Sequence, residues 1–100
     1  MDAVLTDKAR DLVRLCRRHH VARLDVFGSA VRRTEGAHDL DFLVEFQDLP
    51  DGGHADAYFG LLEDLEALFE RPVDLAMASA VTNPFVRESI ERSRVQLYAA

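Results

Sequence analysis

The run Asp39-Leu40-Asp41-Phe42-Leu43-Val44-Glu45-Phe46 constrains the fold more than any other stretch of the chain. Its alternation has the two-residue period of a strand, with Leu40, Phe42, Val44 and Phe46 on one side and Asp39, Asp41, Leu43 and Glu45 on the other. The apolar side must be covered by another layer, so the run requires a sheet with a packed face. Aspartate is depleted in strands. Two at one alternation, beside so apolar a face, need a chemical explanation as well as a structural one; the structural alternative is that both face solvent.

The neighbouring segments supply the remaining elements. Thr6 followed by Asp7 reads as a helix start with Thr6 as cap. Leu5, Ala9, Leu12, Val13 and Cys16 then recur at helical spacing, which predicts one helix to about Arg18. Val21 to Phe27 mixes apolar and charged residues in alternation and ends at Gly28, as a strand entering a turn does. Ser29 to Arg33 reads as a short helix whose first amides are free to point at a ligand. Asp48-Leu49-Pro50-Asp51-Gly52-Gly53 is a loop by composition. Tyr58, Leu61, Leu62, Leu65, Leu68 and Phe69 form the apolar stripe of a helix of about four turns, which Arg71-Pro72 ends. Val73 to Ala76 is a short buried strand. Asn83 caps a last helix with Pro84 at its first position, and Val95 to Tyr98 is either an edge strand or a frayed helix end. Helices alternating with strands around a central sheet predict a small sandwich of the α+β (α/β) class with about four helices.

One hundred residues with 48% apolar content predict a single domain over residues 1–100 with one core. The lone Cys16 excludes an internal disulfide and a cysteine-rich zinc site, and reads as a small core residue. No apolar run has the length of a membrane span and no signal-like segment follows Met1, so the expected compartment is the cytoplasm. A formal charge of −6 argues against a general nucleic-acid binder, which needs a basic footprint. The basic stretch Arg14-Leu15-Cys16-Arg17-Arg18-His19-His20 and the acidic Glu63, Asp64, Glu66 and Glu70 read as solvated helix faces. The acidic one also offers a landing surface to a basic protein. His19, His20 and His54 lack the spacing of a zinc site and receive no role, and His38 reads as a loop histidine.

Chemistry concentrates elsewhere. Asp39 and Asp41 share a strand face about 7 Å apart at their Cα atoms. Oxygen-only ligands at this spacing suit hard divalent cations such as magnesium or manganese, and two such ions can serve in-line phosphoryl transfer. Asp74 interrupts the apolar stretch Val73-Asp74-Leu75-Ala76, where an acid is costly to bury without a cation; a turn cap or a pair with Arg71 is the structural alternative. Upstream of the acids, Gly28-Ser29 can bring backbone close to a triphosphate. Arg32, one helical turn after Ser29, is either a γ-phosphate ligand or a surface arginine.

Together, Phe27-Gly28-Ser29, Arg32, Asp39-Leu40-Asp41, Val73-Asp74-Leu75 and the tail Asn83-Pro84-Phe85-Val86-Arg87-Glu88-Ser89-Ile90 resemble the DNA polymerase beta-like nucleotidyltransferase superfamily. The resemblance is to its minimal (MNT) members in particular, which are often paired with HEPN toxins, and it runs from about Val21 to the C-terminus. It implies a mixed sheet carrying the carboxylates on adjacent strands. It also implies nucleotide binding by Gly28 and Ser29, and two magnesium ions held by Asp39, Asp41 and Asp74. Three features depart from the family pattern. Nine residues rather than ten, Ala30 through His38, separate Ser29 from Asp39, a contraction that Gly36 could absorb. His38 stands where serine is common, and Arg33 where glycine is.

The activity so implied is transfer of a nucleoside monophosphate, AMP from ATP, to a hydroxyl of a protein acceptor. The chain would then be an antitoxin that adenylylates a cognate HEPN toxin on tyrosine. Two alternatives stay open. One is a homodimeric enzyme acting on an antibiotic or similar small hydroxyl compound; the other is a catalytically decayed antitoxin that works by binding alone.

Overall fold

The computed structural model describes residues 1–32, 39–50 and 52–100. The expected helix end at Arg33, the turn at Gly36, the site flank at His38 and the loop position Asp51 lie outside the described residues.

Four strands form one sheet: β1 (Val21–Phe27), β2 (Leu40–Phe46), β3 (Val73–Met77) and β4 (Val95–Ala99), in the spatial order β3-β2-β1-β4. β1 runs antiparallel to both β2 and β4, whereas β2 and β3 are parallel, so the sheet is mixed. Parallel neighbours cannot be joined by a hairpin and need a crossover. The 17-residue helix α4 (Gly53–Phe69, counting α1 Ala3–Asp7, α2 Ala9–Arg18 and α3 Ser29–Arg32 before it) provides that crossover. A single 3-10 turn (Ala78–Ala80) leads from β3 toward α5 (Pro84–Ser93).

The core lies between one sheet face and the helices α2 and α4. Leu24 and Val26 of β1, Leu40, Phe42 and Val44 of β2, and Leu75 of β3 pack with Leu12 and Cys16 of α2 and with Leu61, Leu65 and Phe69 of α4. The rings of Phe42 and Phe69 stack with centroids 5.8 Å apart. Each such side chain contributes about 1.5–3 kcal/mol when fully buried. Cys16 belongs to this core, as expected, and burial pushes its thiol up to about 12. It therefore stays protonated and unreactive at neutral pH.

The structure corrects the expected elements in four places. The first helix is two, broken at Lys8, so the described residues hold five α-helices where about four were expected. Its cap is Asp2 rather than Thr6: the Asp2 carboxylate accepts from the Val4 amide at 3.0 Å, and Thr6 lies inside α1. Asp2 is the stronger cap because it is also buried and paired with Arg71 at 2.8 Å, which fixes the chain end against the fold. α4 starts at Gly53, several residues before the apolar stripe, because Gly52 adopts the left-handed conformation that begins the helix. Leu43, expected on the open face with the acids, is buried. The open face is itself partly covered by α5: Leu43, Glu45, Ile90 and Arg94 line a cavity of about 280 Å³ beneath that helix. The last segment is β4, an edge strand.

The two charged runs are not merely solvated. His19 Nε2 lies 2.6 Å from Asp64 Oδ2, and Arg18 reaches the same carboxylate at 3.4 Å. The His19 ring sits against Gly60, where an added Cβ would come within 2.8 Å of it. Glu66 accepts from the Val73 amide at 3.2 Å. Basic α2 and acidic α4 are thus partly one another's partners, and only Glu63 and Glu70 of the four acids remain exposed without such a bond among those described. No helix among the described residues is long and apolar enough to cross a membrane.

Candidate active site

Strand register brings the carboxylates together. Asp41 of β2 lies opposite Asp74 of β3 in the parallel pair, and opposite Phe27 of β1 in the antiparallel one. Register partners on adjacent strands stand about 4.8 Å apart and point to the same face. Two like charges so placed repel unless a cation lies between them. Asp39 sits just before β2, exposed, at the end of the strand nearest Gly28. Asp41 is half-buried and Asp74 is exposed. The expectation that Asp74 is buried in an apolar strand is therefore corrected: β3 is an edge strand, so its outer positions reach water. Nor does Arg71 pair with Asp74, since its guanidinium is held by Asp2.

Gly28 closes the site from the other side. It follows Phe27 directly, so the turn out of β1 falls beside Asp41. Its φ of +76° lies in the left-handed region, and an added Cβ would meet Asp41 Oδ2 at 2.8 Å. Both constraints select glycine, the first by backbone sterics and the second by lack of room. The Gly28 carbonyl accepts from the amides of Val31 and Arg32 at 3.1 and 3.4 Å, which turns the chain into α3. The first amides of α3, those of Ser29 and Ala30, have no intrahelical acceptor and lie at its start. Arg32 ends α3, exposed.

Several supporting residues carry little signal in local sequence. The Ser93 hydroxyl accepts from the Gly28 amide at 2.9 Å. Asp25, fully buried on β1, is held by Arg94 Nε at 2.6 Å and Arg23 Nε at 3.0 Å. Burial lowers the tendency of Arg94 to hold its proton, but hydrogen bonds and charge attraction from Asp25 and Glu91 outweigh it and push the guanidinium above its ordinary value. The Asp2 amide donates to the Ala30 carbonyl at 2.7 Å, bracing α3 from behind. An acid flanked by Leu24 and Val26 is the one local clue to Asp25, and an Asp just ahead of the first helix is the clue to Asp2; Ser93 offers none.

The donor set fits a hard cation in kind. Asp39, Asp41 and Asp74 supply carboxylate oxygens only, at the mouth of a turn whose backbone can approach an anion. Among the described residues, no three His, Cys, Asp or Glu side chains are drawn into one metal-binding group. The in-register pair Asp41 and Asp74 is thus the nucleus of the site, with Asp39 beside it at the strand entrance.

The chain has recognisable relatives among known proteins. A family model described as the nucleotidyltransferase domain matches residues 10–97. The chain is 35% identical over 80 residues to "Putative protein adenylyltransferase MJ0128" of Methanocaldococcus jannaschii, covering 78% of each chain. A second protein of that organism, "Putative protein adenylyltransferase MJ1379", is 32% identical over the same share of each chain. A solved structure described as a putative minimal nucleotidyltransferase is 31% identical, covers 95% of both chains and superposes with a TM-score of 0.64. The complex of a tri-AMPylated Shewanella oneidensis HEPN toxin with its MNT antitoxin has a chain that superposes with a TM-score of 0.66 at 18% identity, covering 96% of this chain and 73% of that one, a likeness of fold. With the family match running through the sheet, the Gly-Ser turn and all three carboxylates, the chain belongs to the nucleotidyltransferase domain family, among its minimal members, and is a nucleotidyltransferase.

Proposed function

We propose that this nucleotidyltransferase moves AMP from ATP to a hydroxyl of a protein acceptor, and that the acceptor is a cognate HEPN-type toxin for which the chain is the antitoxin. The observation that carries the reading is the packing of Asp41 against Gly28, opposite Asp74, so that the Gly28-Ser29 turn and a carboxylate pair meet at one sheet end. The similarity to proteins named as protein adenylyltransferases supports the protein acceptor. The fold shared with an MNT antitoxin bound to an AMPylated HEPN toxin supports the partner. A related toxin–antitoxin structure with AMP-PNP supports ATP.

In this reading residues 1–100 act as one catalytic domain, working in the cytoplasm. Asp39, Asp41 and Asp74 would hold magnesium. Bound there, the metal supplies charge neutralisation on the phosphates and acidifies the attacking hydroxyl. The chain's own work is positional. Ser29 and the first amides of α3 would bind the β- and γ-phosphates, with Arg32 reaching the γ-phosphate, and together they would stabilise the departing pyrophosphate. Asp74, exposed on the edge strand, is the carboxylate that an incoming protein hydroxyl can approach. No histidine base is needed, and His19 is already committed to Asp64.

The test is incubation of the chain with ATP, magnesium and the purified toxin, followed by intact-mass spectrometry. The expected result is a gain of one or more AMP units on the toxin, absent without magnesium. A toxin that is neutralised at unchanged mass would instead establish an antitoxin acting by binding alone.

Gly28→Val gives a second expectation. A branched side chain would be forced into the left-handed region and against Asp41. ATP binding, measured by calorimetry on the folded variant, should weaken at least about tenfold. Unchanged affinity would reduce Gly28 to a strand terminator.

A further inference from the structure

The Gly28 amide does not point at an open anion site; it is already spent on a side chain 65 positions away in sequence. Its partner, Ser93, is the last residue of α5, and the next residue, Arg94, is locked to the buried Asp25 of β1. The C-terminal end of α5 is therefore pinned to β1 at two points: at Asp25 within the strand, and at Gly28 where the strand turns. Both polar groups of the Gly28 backbone are thus engaged, the amide by Ser93 and the carbonyl by the amides of Val31 and Arg32. A glycine in the left-handed region has wide conformational freedom, and a turn built on it holds one geometry only where neighbours impose it. Here the carbonyl bonds set the direction of α3, and the Ser93 bond sets the orientation of the preceding peptide against Asp41.

We propose that Ser93 is a positioning residue for nucleotide binding: its hydroxyl fixes the Phe27–Gly28 peptide so that the first amides of α3 and the Asp41 carboxylate face the same triphosphate. The inference rests on the nucleotide-binding reading of Gly28-Ser29. Without the hydroxyl the peptide is free to rotate, and ordering it becomes a cost that the nucleotide must meet on binding. The effect falls on affinity for the triphosphate and leaves the chemistry of the carboxylates in place. Fold stability depends little on it, because Ser93 is only half-buried and the neighbouring Arg94–Asp25 pair holds α5 independently.

The experiment compares wild type, Ser93→Ala and Ser93→Thr as full chains, with ATP and magnesium titrated calorimetrically, thermal melts in parallel, and hydrogen exchange of the Gly28 amide followed by NMR without nucleotide. In Ser93→Ala the Gly28 amide should exchange faster and the Kd for ATP should rise about tenfold, the equivalent of one lost hydrogen bond, with the melting temperature lowered by no more than a few degrees. Ser93→Thr, which keeps the hydroxyl, should restore both amide protection and affinity. Equal affinity in wild type and Ser93→Ala, or a loss of affinity that Ser93→Thr does not restore, would overturn the role of Ser93 while leaving nucleotide binding intact. Failure of wild type itself to bind ATP would overturn the nucleotide reading, and the role of Ser93 with it.

Discussion

Asp41→Asn should lower the rate of AMP transfer by at least about 10²–10³-fold, the scale set by removal of one preorganised charge-stabilising group. Asparagine keeps the shape that packs against Gly28 and faces Asp74, but it removes the anionic oxygen that a divalent cation requires. Loss of activity should not be accompanied by loss of structure. Asp41 is half-buried at the rim of the sheet, and asparagine is isosteric with it, so the substitution should disturb packing little. The melting temperature of the variant without magnesium should therefore stay close to that of wild type. The measurement is toxin labelling with ATP and magnesium beside a thermal melt in chelator. Transfer at the wild-type rate would remove Asp41 from the mechanism, and a large drop in melting temperature would show that its role is structural.

Arg94→Ala should have the opposite profile, with a large loss of stability. Asp25 is fully buried and Arg94 mostly so, and removing the guanidinium leaves an anion in the sheet with Arg23, on the rim, as its remaining partner. Breaking a buried pair from one side costs about 3–5 kcal/mol, and the retained Arg23 contact places the expectation near about 3 kcal/mol. In a chain of this size that lowers the melting temperature by more than about 10 °C. Urea denaturation read by circular dichroism checks the figure, and a loss below about 1 kcal/mol would rank the pair with ordinary surface bridges. Replacing both residues with apolar ones of similar size, Asp25→Leu with Arg94→Met, should recover much of the loss, because no buried charge is then left unpaired.

Asp25 and Asp74 show where sequence reading succeeds and where it cannot. The same argument applies to both: an acid among apolar strand residues needs a cation. The local pattern points to Asp74, which lies on an edge strand and reaches water, whereas the fully buried acid is Asp25, on a strand with neighbours on both sides. Strand order decides the difference, and strand order is absent from a local pattern. Leu43 follows the same logic. Its parity places it on the face of Asp41, correctly, yet parity does not reveal that α5 covers part of that face and buries it. Likewise the charged runs of α2 and α4 have the composition of solvated faces, and it takes the tertiary approach of Arg18 and His19 to Asp64 to join them.

What the chain order determined by itself was everything encoded at short range. The alternation of 39–46, the glycine required at the end of β1, the Asn83-Pro84 helix start and the family motifs of Gly28-Ser29, Asp39, Asp41 and Asp74 all sit within a few residues of their own signal. Backbone sterics and side-chain parity act over that range, so these features are legible without a structure. The tertiary structure alone decided that Asp41 and Asp74 fall in register, that Asp2 binds Arg71, and that Ser93 and Arg94 tie α5 to the strand behind the site. Each of those joins residues far apart in sequence, and their partners are chosen by how the layers close over the core rather than by the residues next to them.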